Sequence, residues 1–151
     1  MSDHRPALIS AVVYKDPRAA LDWLQKAFGF EIDMLIEGPD GELMHSEMRF
    51  EDSLVMVGNE WTVEHRSPAS MGGLMTQTIH IHVKTDIDAH CERARQAGAV
   101  IVAAPETQFY GDRTYRCKDL EGHIWTVGQT VQTMTPKEWD AVAGVVTTMR
   151  S

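Results

Sequence analysis

Asp119-Leu120-Glu121-Gly122-His123-Ile124-Trp125-Thr126-Val127-Gly128-Gln129 reads as a tight turn running into a strand, and it has an earlier counterpart in the same chain. Shifted by seventy residues, Phe50-Glu51 falls on Leu120-Glu121, and Val57-Gly58-Asn59 falls on Val127-Gly128-Gln129. The same offset lays Ile9 on Ile79, Asp16 on Asp86 and Ala27 on Ala97. Self-similarity at one fixed offset marks a repeated structural unit. With only two copies and so long a period, the unit is a half-domain and not a solenoid repeat.

Working outward from that turn, each copy gives the same series of elements. A strand (residues 7–14, then 76–84) precedes a helix (17–28, then 87–97), and three shorter strands follow each helix. Leu21, Leu24 and Phe28 form one apolar stripe, with Gly29 placed to cap the helix C-terminus; Gly98 closes the second helix in the same way. Pro39-Asp40-Gly41, Glu51-Asp52-Ser53 and the 119–122 turn separate the strands. Connections this short join antiparallel neighbours, which excludes a doubly wound parallel sheet. The expected fold class is therefore α+β: two tandem βαβββ half-domains whose curved mixed sheets enclose a cavity, plus a C-terminal helix. The expected boundaries are 1–58 for the first module, 59–74 for a linker carrying Ser67-Pro68 and Gly72-Gly73, 75–131 for the second module and 132–151 for the helical tail. Thr135-Pro136-Lys137-Glu138 supplies an N-cap, a first-turn proline and a capping-box glutamate for that tail. Trp139, Val142, Val146 and Met149 give it an apolar stripe to dock on its own chain or on a partner.

Composition narrows the function classes. The chain has 151 residues, 14 Lys+Arg and 22 Asp+Glu, for a formal charge of −8. That balance disfavours nucleic acid, whose affinity rests on Lys and Arg neutralising phosphates. Apolar runs fall short of the roughly 18 residues that a membrane span needs, and no signal-peptide pattern opens the sequence, so a cytoplasmic protein with no membrane partner is expected. Cys91 and Cys117 are too few for a disulfide framework. Cys91 reads as a small core residue at helical spacing with Ile87 and Ala94, and nothing near Cys117 would activate a thiolate. No P-loop, dinucleotide fingerprint or nucleophile elbow is present.

Four stretches stand out in this order along the repeat: Ala27-Phe28-Gly29-Phe30-Glu31, Met44-His45-Ser46-Glu47-Met48-Arg49-Phe50, Arg95-Gln96-Ala97-Gly98-Ala99 and Tyr110-Gly111-Asp112-Arg113. A fifth is the turn Asp119-Leu120-Glu121-Gly122-His123-Ile124-Trp125. Together they resemble the vicinal oxygen chelate superfamily of glyoxalases, bleomycin-resistance proteins and extradiol dioxygenases, across nearly the whole chain. The fifth is the most specific, being similar to the family's Asp-Pro-x-Gly-His turn before its last strand. The resemblance implies an inter-sheet cavity and homodimerisation. In metal-dependent members it also implies a divalent ion held by His or Glu from the first and last strand of each half, which chelates adjacent substrate oxygens. Counting from the turn motifs, those positions fall on Ile9, Met56, Thr126 and either Ile79 or Thr78. None is a usual ligand for such an ion, so no cofactor is expected at the inherited site.

Other residues are candidates for a cavity lining or a substitute metal set. His80 and His82 alternate with Ile79, Ile81 and Val83, which puts both imidazoles on one strand face, away from the apolar set. His45, Glu47 and Arg49 likewise share a face opposite Ser46, Met48 and Phe50. His45, Glu47, His80 and His82 would bind a divalent metal only if the two strands converged with suitable angles; otherwise they line a wet pocket. Tyr110 and Arg113 are ligand-contact candidates, with Arg113 either pointing into the cavity or forming a surface ion pair. His123 reads as a structural hydrogen-bonder, and Trp125 and Val127 as residues packed under a helix.

The expected cavity set is thus Ile9, His45, Glu47, Met56, His80, His82, Tyr110, Arg113 and Thr126, with no catalytic residue assigned. The expected function is binding of a small organic molecule without the family's usual metal. The alternative is a metal-dependent glyoxalase-like lyase or isomerase, or a dioxygenase, with a non-standard ligand set.

Overall fold

The computed structural model describes residues 5–150. The repeat becomes two four-stranded mixed sheets, each with one helix. The first half comprises β1 (Ser10–Tyr14), α1 (Pro17–Phe28), β2 (Glu31–Glu37), β3 (Leu43–Phe50) and β4 (Ser53–Asn59). The second comprises β5 (Ile79–His82), α2 (Ile87–Gln96), β6 (Val100–Thr107), β7 (Asp112–Lys118) and β8 (Ile124–Thr130). Strand orders are β1-β4-β3-β2 and β5-β8-β7-β6. In each sheet only the pair joining first and last strand is parallel, as the intervening helix allows. Bulges between Ile32 and Met34 on β2, and between Ile101 and Ala103 on β6, interrupt matching ladders in the two halves and add to their curvature.

Both helices begin on an aspartate: the Asp16 side chain accepts from the Ala19 amide, and Asp86 from the Ala89 amide, each satisfying one otherwise free donor. α1 ends on Gly29 at φ 74°, a left-handed conformation that glycine adopts without steric cost. Its buried face includes Leu21, Trp23, Leu24 and Phe28. The helices meet end to end through reciprocal polar contacts. Trp23 Nε1 donates to the Ala97 carbonyl at 2.8 Å, while Arg93 Nε donates to the Lys26 carbonyl at 2.7 Å. A cation among the last carbonyls of α1 is placed where the helix dipole favours it.

The helix-bearing faces of both sheets share one core. Trp125, fully buried on β8, meets Phe28 at 5.2 Å and Phe30 at 5.8 Å between ring centroids. Burying an aromatic side chain of this size contributes about 1.5–3 kcal/mol. A second junction forms at the 119–123 turn. Buried Asp119 accepts from Tyr14 Oη at 2.7 Å and Trp125 Nε1 at 3.0 Å, and the Glu121 carboxylate accepts the Lys15 and Asp16 amides. His123 Nε2 is 2.7 Å from the Val13 carbonyl, so its side chain forms a structural bond to a strand of the other half.

This packing changes one expectation. The sheets are not closed on each other around a common cavity, because their helix-bearing faces are the surfaces brought together and both concave faces remain open. The 59–74 segment is held in place: it carries a short 3₁₀ turn at Pro68–Ser70, and buried Ser67 donates to Glu121 at 2.6 Å. The C-terminal helix, α3 (Pro136–Ala143), has the expected capping box at Thr135 and Glu138, but Gly144 ends it in a left-handed turn. Val146 and Met149 therefore lie beyond the helix, and no residue of α3 is buried. The tail instead closes on itself, with Trp139 Nε1 and the Asp140 carboxylate both bound to Thr147. No helix among the described residues is long and apolar enough to cross a membrane.

Candidate functional site on the open concave faces

Strand alternation sorts the candidates between the two faces of each sheet. On the second sheet, Ile79 and Ile81 pair with Trp125 and Val127 and point to the core. The intervening residues point the other way: His80 stands beside Thr126 and His82 beside Gly128, with Arg116 and Thr114 across β8. They line a cavity of about 460 Å³ that Gln108 and Tyr110 also border, within the size range of small-molecule pockets. Arg116 Nε donates to Thr126 Oγ1 at 3.2 Å. The Thr130 amide donates to His82 Nε2 at 3.2 Å, and the Thr130 hydroxyl donates to Asp112 at 2.8 Å. Tyr110 is carried on the β6–β7 turn, where Gly111 sits at φ 97° and a Cβ would come within 2.0 Å of the Gln132 carbonyl oxygen. Only glycine permits that turn to approach the outgoing chain so closely.

The concave face of the first sheet carries a charged cluster. Glu47, only 2% exposed, is gripped by Arg5 through two bonds of 3.0 and 3.2 Å and by His45 Nε2 at 2.8 Å. The Arg5 bond holds the Glu47 carboxyl below the usual glutamate range; burial opposes this and His45 adds to it. Beside it, Arg49 Nε donates to Asp33 Oδ1 at 3.2 Å. Met56 faces the same side, since it pairs with Glu47 across β3 and with Ala11 across β1.

Arg113 is a correction. It lies on the helix side of β7 and binds Asp88 at 2.9 Å at the start of α2, so it does not enter the concave cavity. The residue that does is Arg116. Its neighbours Tyr115 and Cys117 are buried, and period-two alternation from those two residues would have indicated it. Ile9 precedes β1 and is half-buried, leaving Ala11 as the residue beside Met56. Arg5 and Asp33 also escaped notice, the first because it lies outside any strand and the second because the β2 bulge re-aims it. Neither cysteine is activated: burial pushes Cys117 up to about 12 and raises Cys91 above its usual value.

The residues do not suit the metal of the resemblance. The first and last strands of the two halves offer Ala11 beside Met56 and His80 beside Thr126, one imidazole among four positions. The substitute set does not converge: Glu47 is engaged by Arg5 and His45 on one sheet, while His80 and His82 belong to the other. Among the described residues no three His, Cys, Asp or Glu side chains form a group that could hold a metal ion.

Comparison with known proteins places this geometry in a family. The model of the Glyoxalase/Bleomycin resistance protein/Dioxygenase superfamily matches residues 8–127. An uncharacterized protein of Mycobacterium bovis, Mb0911c, is 37% identical over 140 residues, covering 90% of this chain and 91% of its own. Among solved structures, TioX from Micromonospora sp. ML1 superposes with a TM-score of 0.66 at 29% identity, covering 85% of this chain and 99% of TioX. TnmS3, an antibiotic binding protein from Streptomyces sp. CB03234, has the same fold at 19% identity and a TM-score of 0.62, covering 86% of this chain and 99% of its own. The two open sheets, their shared helical core and the 119–123 turn are thus those of a member of the Glyoxalase/Bleomycin resistance protein/Dioxygenase superfamily, to which this chain belongs.

Proposed function

We propose that this protein binds a small organic molecule on its open concave faces and does so without the family's usual metal. The observation that carries the reading is the second-sheet cavity of about 460 Å³, lined by imidazole, guanidinium and phenol groups. Such a mixture suits recognition of a polar aromatic compound through stacking and hydrogen bonds. The description of TnmS3 as an antibiotic binding protein supports sequestration, in which affinity alone suffices. A net charge of −8 adds long-range attraction for cations. Because each concave face is open within one chain, a second copy of the chain is proposed to complete the pocket, giving a homodimer.

Calorimetry with bleomycin and other aromatic cations tests the reading on protein purified without a His-tag. Saturable binding is expected, weakened about tenfold by Arg116→Ala or His80→Ala, the equivalent of roughly 1.4 kcal/mol. Stoichiometric zinc, iron or nickel, with turnover abolished by EDTA and by His80→Ala, would replace this reading with that of a metal-dependent lyase, isomerase or dioxygenase.

A further inference from the structure

The two sheets spend their arginines differently. Arg5 and Arg49 meet Glu47 and Asp33 at the first sheet, and Arg113 meets Asp88 on the helix side of β7. Arg116 pairs with no carboxylate among the described residues, although the chain holds 22 acidic residues against 14 basic ones. Its contact there is from Nε to the Thr126 hydroxyl. Strand register shows what stands around it: Ala103, Arg116, Thr126 and His80 form one row across β6, β7, β8 and β5 on the concave face. Ala103 offers no acceptor from its side chain. Thr126, only 7% exposed, accepts from Arg116 and keeps its own hydroxyl proton to donate. The carboxylates of the cavity stand in other rows. Glu106 is one row on, opposite Thr114, and Asp112 is two rows on, where it accepts the Thr130 hydroxyl. One row of the cavity therefore gathers guanidinium, hydroxyl and imidazole groups with no carboxylate among them. In the next row Gly128 carries no side chain, which leaves space over the middle of the sheet.

We propose that this row is the carboxylate-binding end of the second-sheet cavity, with Arg116 as the residue that selects the charged group. Because Nε is engaged by Thr126, Nη1 and Nη2 are the donors left to a ligand. Two parallel N–H groups on one guanidinium match the two oxygens of a planar carboxylate. The Thr126 hydroxyl and the His80 imidazole, neighbours in the row, supply further donors to the same group. The body of the ligand then lies over Gly128, toward the turn that carries Tyr110. The net charge of −8 acts at long range on the whole ligand, whereas the row acts on one end of it, so a zwitterion satisfies both. The inference rests on the reading that this cavity binds a small organic molecule, and it names the ionic group that the cavity takes.

Cinnamate is the probe and cinnamamide its neutral near-isostere, titrated calorimetrically into the full chain and into Arg116→Gln. Salt at about 0.15 M screens the net charge beyond roughly 8 Å, so the comparison reads the local row. Wild type is expected to prefer the acid over the amide about tenfold, because a bond to a charged acceptor is roughly twice as strong as a neutral one. Arg116→Gln is expected to erase that preference. Equal affinity of wild type for acid and amide, or a preference that survives Arg116→Gln, would overturn the proposal. If Arg116→Gln does not fold, Thr126→Val decides, since it removes a donor from the row and keeps the side-chain shape. A narrowed preference supports the proposal, and an unchanged one refutes it. Amide bound as tightly as acid, or aromatic cations bound while both probes fail, sinks this inference and leaves the broader reading standing. If no compound of either set binds, both fall together.

Discussion

His90 shows how far a single side chain can be read. It lies on α2 between Phe28, stacked at 5.6 Å, and Tyr115, whose hydroxyl is 2.6 Å from Nδ1, while its Nε2 is buried without a partner among the described residues. Burial, helped by the Arg93 charge, lowers its pKa to about 4. The folded value lies below the ordinary value of 6.5, so in that interval the unfolded chain binds more protons. Stability is therefore expected to decline as pH falls from about 6.5 to about 4, with no further loss from this group below that. Urea denaturation across that range should show a shallower pH dependence in His90→Gln than in wild type. The same scale shows what the sequence could say about the site. His80 and His82 were legible because isoleucines alternate with them, and His45 and Glu47 because Ser46 and Met48 do. Arg113 misled because an arginine next to a turn is equally at home on a helix N-terminus such as that of α2. The Glu47–Arg5 pair was hidden because it spans 42 positions, and no local pattern encodes so distant a partner.

The turn at 119–123 is the element whose loss should cost most. Asp119 accepts four hydrogen bonds, from Tyr14, Trp125 and the amides of Glu121 and His123. Asp119→Ala leaves a buried phenol and a buried indole N–H unpaired, each worth about 1–3 kcal/mol. A loss of about 2–6 kcal/mol is expected, measured as a fall in the urea midpoint with little change in slope. Repeat offset, helical stripes and turn residues announced the elements themselves, because each is a local pattern. The boundaries moved where tertiary contacts decide them. β1 starts at Ser10 and β5 at Ile79, each where pairing with the parallel partner begins. α3 stops at Ala143 because Gly144 turns left-handed, although the apolar spacing runs on to Met149.

At the scale of the whole molecule, the duplicated sequence specified two sheets but not which of their faces would meet. Nothing in a strand's alternation tells whether the surface opposite its helix will face its twin or solvent. The open concave faces and the exposed Ile32, Leu35 and Ile36 on β2, with Val100 and Val102 on β6, motivate the proposed homodimer. Sedimentation equilibrium at micromolar concentration should then give twice the mass of the chain; a single-chain mass would count against shared cavities. The bonds from Tyr14 and Asp16 to the 119–121 turn have a further consequence, for the order of events in folding. They join positions 105 apart, and drawing such a loop shut costs about 4 kcal/mol of chain entropy before a contact repays it. Trp125 reaches the aromatic core around Phe28 from the far side of that loop. Neither half buries its side of that core alone, so the two are expected to unfold in one urea transition. The chain's internal duplication is thus a duplication of architecture, whereas its cooperative unit is the pair.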